Sequence, residues 1–287
     1  MSRITEQTAQ STLASGDVFL IDNPSTGSHK ISADDMKTAI VGGFTSPGQP
    51  NAAGFHNSIY RGKNLGTTIT DAQRAQITAG TFEDLFVGDY WTINGRVYRI
   101  ADFDPFYRCG DNVSLGHHIA LVPDASMGSK QMHNTDTGGY IAGSEYNTTA
   151  GGYVSSDMRT TNLSAIQTTV INDLGDSHVL TYRDLLPTAT NGSGDSSWGW
   201  QSCRVELMSE TMVYGCKVWA NSGYAVGCCA RQLSLFRLNP AMIHTRYTYW
   251  LRNAASAAAF CRVSGDGGAG NNYASNANAV RPLVLYA

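Results

Sequence analysis

YTYWLRNAASAAAFCRVSGDGGAGNNYASNANAVRPLVLYA, residues 247–287, is the stretch that decides the fold. Trp250, Leu251, Phe260, Val263, Val280, Pro282, Leu283 and Leu285 are core-type side chains, and they bracket a run of Ala, Ser, Gly and Asn. Large apolar groups belong inside a domain, whereas a long stretch of small and amide groups adds little to packing. The contrast predicts a stiff frame displaying a replaceable surface. Its candidate ligand-binding residues are Asn253, Ala255, Ser256 and Ala257, then Arg262, Ser264 and Asp266, then Asn271, Asn272, Tyr273, Ser275, Asn276 and Asn278. Amide, hydroxyl, aromatic and guanidinium groups suit adaptable recognition. These residues are expected mostly on one accessible face, with Trp250, Phe260, Val263, Val280 and Leu283 buried beneath them.

From Leu65 to Ala287 the local signals describe one α+β domain. Thr70 and Gln73 have capping-box spacing and Gly80 suits a left-handed stop, so Asp71–Ala79 reads as a helix. In DYWTINGRVYRI, Asn94-Gly95 sits between two β-rich runs and predicts a tight hairpin. His117–Pro123 reads as a strand. Leu163, Ile166, Val170 and Leu174 recur at helical spacing and stop at Gly175. RVELMSETMVYG, the Cys228-Cys229 region, LSLFRL and the terminal segment read as short strands and turns.

Residues 1–44 read as a separate small module. Val18–Ile21 and Lys30–Ile31 are strand-like, and Ser32 with Asp35 three residues on opens a helix. A piece this short cannot bury its own apolar face, so it is expected to gain stability by attachment or oligomerisation. Residues 45–64, TSPGQPNAAGFHNSIYRGKN, carry two of the eight prolines and several glycines, and read as a linker.

The chain has 287 residues, 20 Lys+Arg against 23 Asp+Glu and a formal net charge of −3. That balance leaves no basic footprint for nucleic acid or an anionic membrane. The N-terminus lacks the apolar core of a signal peptide, and no apolar run reaches membrane-spanning length, so synthesis in a cytoplasm is expected. The six cysteines (Cys109, Cys203, Cys216, Cys228, Cys229, Cys261) form no C-x-x-C pair and read as free thiols.

No G-x-S-x-G, P-loop or H-E-x-x-H motif is present. In a strand, His117 and His118 point to opposite faces and do not share a metal. Asp102 and Asp104 read as turn or cap carboxylates. No enzyme activity and no cofactor is expected.

The order WLR…F-x-V…G…VRP, together with GGYVSSDMR and VELMSETMVYG, resembles the C-type-lectin-like domains of phage receptor-binding proteins and the variable proteins of diversity-generating retroelements. Residues 1–44 resemble the attachment segments of phage tail and head fibres. The resemblance implies a virion-surface adhesin, a homotrimer held to other virion proteins through residues 1–44. Its partner would be a host-cell protein or glycan, bound through a variable region at 248–278. Asparagine codons, the kind such elements diversify, are dense there. The calcium tripeptides of sugar-binding lectins have no counterpart: VPD at Val122–Asp124 and LNP at Leu238–Pro240 lack the oxygen-rich ligand set. One alternative is a particle-decoration fibre without a specific ligand. A third reading is an enzyme of the formylglycine-generating type, built on Cys228, Cys229 and Cys261.

Overall fold

The computed structural model describes residues 18–23, 27–32, 35–36, 52–134, 147–220 and 226–287. The chain divides into two compact units, Met1–Pro47 and Gly48–Ala287. In the first unit, β1 (Val18–Asn23) pairs antiparallel with β2 (Gly27–Ser32). The Ser32 hydroxyl accepts from the Asp35 amide at 3.0 Å and donates to the Asp35 carboxylate at 2.7 Å, the interaction its spacing predicts. The body of that helix beyond Met36 lies outside the described residues, as does most of residues 1–44.

The second unit is α+β, mostly sheet with few helices. Its opening corrects the linker reading. Residues 52–64 are packed into the domain: α1 (Ala53–His56) carries a fully buried His56, whose Nδ1 lies 2.6 Å from the Leu85 carbonyl. Tyr60 and Asn64 form parallel bridges to Val87 and Tyr90, and Arg61 pairs with the buried Asp89 at 2.6 Å. This stretch holds Gly54 and Gly62 and tertiary partners order it, while Pro47 and Pro50 lie outside the described residues.

Helix α2 (Asp71–Ala79) has the expected reciprocal box, Thr70 with Gln73, and ends at Gly80 with φ 73°. Strands β3 (Tyr90–Ile93) and β4 (Arg96–Phe103) meet through Asn94 (φ 49°) and Gly95 (φ 78°), both left-handed as a two-residue hairpin requires. Next come β5 (Ile119–Pro123) and β6 (Ser129–Gln131). A π-helical turn, Met158–Asn162, runs into α3 (Leu163–Leu174), which buries Leu163, Ile166, Val170 and Leu174. A long hairpin, β7 (Tyr182–Thr190) with β8 (Asp195–Cys203), precedes β9 (Val205–Leu207) and α4 (Glu210–Tyr214).

LSLFRL is not a strand: Ser234–Leu238 forms α5, and the Ser234 amide at its start donates to Asp102 Oδ2 at 2.9 Å. The terminal stretch supplies β10 (Tyr249–Ala254), β11 (Ala259–Val263), β12 (Ala269–Tyr273), β13 (Ala277–Ala279) and β14 (Pro282–Tyr286).

These strands build two five-stranded sheets, ordered β12-β11-β10-β13-β6 and β3-β4-β5-β14-β9. All pairings are antiparallel except β10 with β13. The chain passes from one sheet to the other between Ala279 and Pro282, at the VRP of the sequence. Arg281, 2% exposed, holds this crossing by donating to the carbonyls of Pro123 and Met242, each at 2.8 Å. Its guanidinium also lies over the rings of Phe236 and Tyr249, at 5.4 and 5.5 Å. One apolar cluster running from Ile69 to Tyr286 fills the unit. Among the described residues no helix is long and apolar enough to cross a membrane.

Candidate binding surface

The frame is where the sequence puts it: Trp250, Phe260, Val263 and Val280 are wholly buried and Leu283 is 1% exposed. The indole N–H of Trp250 donates to the Lys130 carbonyl at 2.8 Å, tying β10 to β6 across β13.

The candidate display residues do not form one face. Ala269–Tyr273 is a strand, so its side chains alternate. Asn271 opposes Cys261 and Tyr273 opposes Ala259, whereas Asn272 opposes Phe260 and Gly270 opposes Arg262. Asn271 and Tyr273 therefore leave the sheet on one side, and Asn272 and Arg262 on the other.

Two members of the set are interior. Asn253, 7% exposed, donates to Asp195 Oδ2 at 2.8 Å and accepts from the Glu210 amide at 2.9 Å. Its amide links β10 to β8 and to the first turn of α4. Asn278 is 8% exposed. The small groups near the turns are half-occupied by local bonds. Ala255 packs against the core, Ser256 Oγ accepts from the Ala258 amide, and the Ala257 amide donates to the Gly192 carbonyl. Ser264 Oγ accepts from Arg262 Nη1 at 3.1 Å, and Asp266 closes a turn on the Gly268 amide at 3.0 Å. Ser275 donates to Asn147 Oδ1 at 2.7 Å. Ala257, Asp266, Tyr273 and Asn276 are the exposed members.

Asparagines make a chain of amides from β12 to β13. Asn276 Nδ2 donates to Asn272 Oδ1 at 2.5 Å, and Asn272 Nδ2 donates to Asn278 Oδ1 at 3.3 Å. The chain ends at Asn278 Nδ2, a buried donor with no partner.

Two aromatic side chains outside the sequence-based set stand at the border of the same sheet. Among the described residues, the exposed Trp, Tyr and Phe side chains are Trp219 (49%), Tyr247 (61%) and Tyr273 (57%). Trp219 is tied to the edge strand by its Nε1 donating to the Ala269 carbonyl at 3.1 Å, and Tyr247 directly precedes β10. Tyr247 opens the quoted run and was legible there as an aromatic beside the frame. Trp219 was not, because a contact with a residue fifty positions away holds it there.

A recess of about 470 Å³ opens beside Tyr247, with Asn278 in its wall. Another, of about 280 Å³, lies between α3 and β8–β9. Its two guanidiniums are already engaged, Arg159 by Glu206 at 3.0 Å and Arg204 by Asp176 at 2.6 Å.

Charge is buried beneath the sheet. Arg252 Nη2 stands 2.7 Å from Asp184 Oδ2. Burial pushes the Asp195 carboxyl up to about 6, against the Ala254 amide and the Asn253 side chain that favour its charged form. Burial likewise raises Glu206, opposed by Arg159, and the Glu206 carboxylate accepts from the Tyr153 hydroxyl at 2.8 Å.

The remaining chemistry-bearing residues are engaged elsewhere. His117 and His118 precede β5 rather than lying in it, and they converge on Asp104 (φ 56°), whose Oδ2 is 2.6 Å from His117 Nδ1. Asp102 is wholly buried, held by Arg231 through two contacts of 2.7 Å. The two carboxylates thus serve different partners.

All six cysteines are free thiols. Cys228 Sγ donates to the Cys109 carbonyl at 3.2 Å, Cys229 sits near Arg231, and Cys261 lies in β11 near Glu210. These three are not brought to one point, and among the described residues no group of three or more His, Cys, Asp or Glu side chains could hold a metal ion. No family model matches this chain, and no curated protein or solved structure matches it.

Proposed function

We propose that the protein is an adhesin of C-type-lectin-like fold, attached to a virion, that recognises a host-cell surface ligand through its C-terminal sheet. Residues 1–44 attach it to the particle, and copies act together as a homotrimer, which multiplies a weak single-site affinity. The observation that carries the binding reading is that the exposed aromatic side chains among the described residues, Trp219, Tyr247 and Tyr273, all belong to this one sheet and its border. Aromatic groups held in water at the edge of a rigid frame are the usual anchors of a recognition surface. Asn276, whose backbone N–H donates to the Tyr273 carbonyl, adds an exposed amide beside that residue, while Asn272 and Arg262 add donors and acceptors on the opposite side of the strand.

Fluorescently labelled full-length protein applied to a panel of bacterial strains tests the reading by flow cytometry. Saturable binding to at least one strain is expected, falling about tenfold or more when Trp219, Tyr247 and Tyr273 are all replaced by alanine. Val113→Ala, at a residue 78% exposed before β5, serves as the control that keeps binding. Binding to no strain, or equal binding by the triple variant, overturns the proposal.

A further inference from the structure

We infer that the recess beside Tyr247 is a calcium-independent subsite for one unit of a neutral saccharide, an inference that rests on the adhesin reading and names the chemistry of its ligand. The recess, about 470 Å³, is lined by Tyr247, Thr248, Ser126, Ser129 and Asn278. Its other lining residues are glycine and alanine, and no Lys, Arg, Asp or Glu lines it. Its size is that of a small-molecule site, and its polar groups are few and uncharged.

The second observation is the amide of Asn278. Asn272 donates to its Oδ1, which fixes the amide so that Nδ2 is the end without a partner. A buried donor left unpaired is costly and calls for an acceptor. Thr248 Oγ1 accepts from Arg262 Nη1 at 3.3 Å, leaving its own proton to donate. The wall therefore offers hydroxyl donors at its surface, the unpaired amide of Asn278 just behind it, and no charge. A water would satisfy Asn278, but it gives no use to the Tyr247 ring, which stands 61% exposed beside the recess.

A pyranose matches both features. Its hydroxyls supply acceptors to Asn278 and Thr248, and its axial C–H bonds present a positive edge to the negative face of the tyrosine ring. An anionic ligand would meet no cation among the lining residues. Calcium would find no carboxylate among the lining residues.

Saturation-transfer NMR on the full-length protein, with the methyl glycosides of glucose, galactose, mannose and N-acetylglucosamine as probes, tests the subsite. At least one glycoside is expected to titrate, with the same affinity in EDTA, and to bind about tenfold or more weakly to Tyr247→Ala. Tyr247 is exposed, so that variant keeps its fold. Asn278→Asp, which removes the free N–H, should weaken binding as well, and its melting curve reports whether it folded.

Failure of every glycoside to bind, equal binding by Tyr247→Ala, or loss of binding in EDTA overturns the inference. Cell binding that is abolished by protease treatment of the cells, with no glycoside bound, means a protein ligand: the adhesin stands and the subsite falls. A glycoside that binds when no cell does leaves the subsite standing and removes the adhesin.

Discussion

Arg281 Nε donates to the carbonyl of Pro123 at 2.8 Å, and this contact joins the two sheets at the point where the chain changes from one to the other. Pro123 ends β5, while Arg281 stands between β13 and β14. The same guanidinium reaches the Met242 carbonyl beyond α5. A planar fork can serve both acceptors at once, which an ammonium cannot match in direction. Arg281→Lys should therefore destabilise the domain by about 2–4 kcal/mol, since hydrogen bonds to a charged group are worth roughly 1.5–3 kcal/mol each. Urea unfolding followed by tryptophan fluorescence measures this, and a lysine variant of unchanged midpoint would show that the crossing is held by packing alone.

Frame and display separate in a paired experiment. Trp250 is wholly buried, so Trp250→Ala should leave a cavity costing roughly 3–5 kcal/mol. Tyr273 is 57% exposed and its replacement by alanine should shift stability by no more than about 0.5 kcal/mol. Its effect belongs to cell binding instead. Thermal melts of both variants decide the matter: a Tyr273→Ala protein that unfolds early would make that ring part of the frame.

Arg252 and Asp184 form an ion pair whose side chains are 3% and 0% exposed. Removing one partner strands the other charge in the interior, and Arg252→Ala or Asp184→Ala should each cost roughly 3–5 kcal/mol. Replacing both, as Arg252→Met with Asp184→Leu, should recover most of that loss, because desolvation offsets much of the attraction. A double-mutant cycle in denaturant reads the coupling. Additive single losses would mean that the two charges do not depend on each other.

What was legible in the sequence was local. The Thr70–Gln73 box, the Asn94-Gly95 turn and the helix of Leu163, Ile166, Val170 and Leu174 stand as read, since each signal lies within a few residues of the structure it specifies. The frame residues were legible for the same reason, being large and apolar at the flanks of a small-residue run. What failed depended on distant partners. Asp102 bonds the first amide of α5 from 132 positions away, and no pattern within LSLFRL announces it. Residues 52–64 are ordered by Leu85, Val87 and Asp89. Asn253 looks like a displayed amide until Asp195, 58 residues upstream, is seen to bind it. The single face expected of the run failed on alternation, because neighbouring asparagines in a strand cannot point the same way.

The Asp195 carboxyl gives stability a pH dependence whose sign follows from its environment. Burial raises it from 3.8 to about 6 in the folded protein. Between those values the folded chain holds a proton that the unfolded chain has released, so stability falls as pH rises through this window. The stabilisation is fully present below pH 3.8 and is lost as the carboxyl ionises near pH 6. A shift of this size corresponds to about 3 kcal/mol. Other carboxylates titrate nearby, so the comparison is with Asp195→Asn, which keeps the shape and removes the charge. The stability of the natural protein relative to this variant should fall by about 3 kcal/mol between pH 3.8 and about pH 7.5. The amide that replaces the carboxyl keeps one acceptor oxygen and must turn its NH2 toward either the Ala254 amide or the Asn253 side chain, each a donor, so the variant is expected to be the weaker of the two at acidic pH. Denaturant unfolding across the pH range measures the difference, and a difference that grows with pH, or stays flat, would mean that Asp195 is ionised throughout and that the amides of Ala254 and Asn253 outweigh its burial.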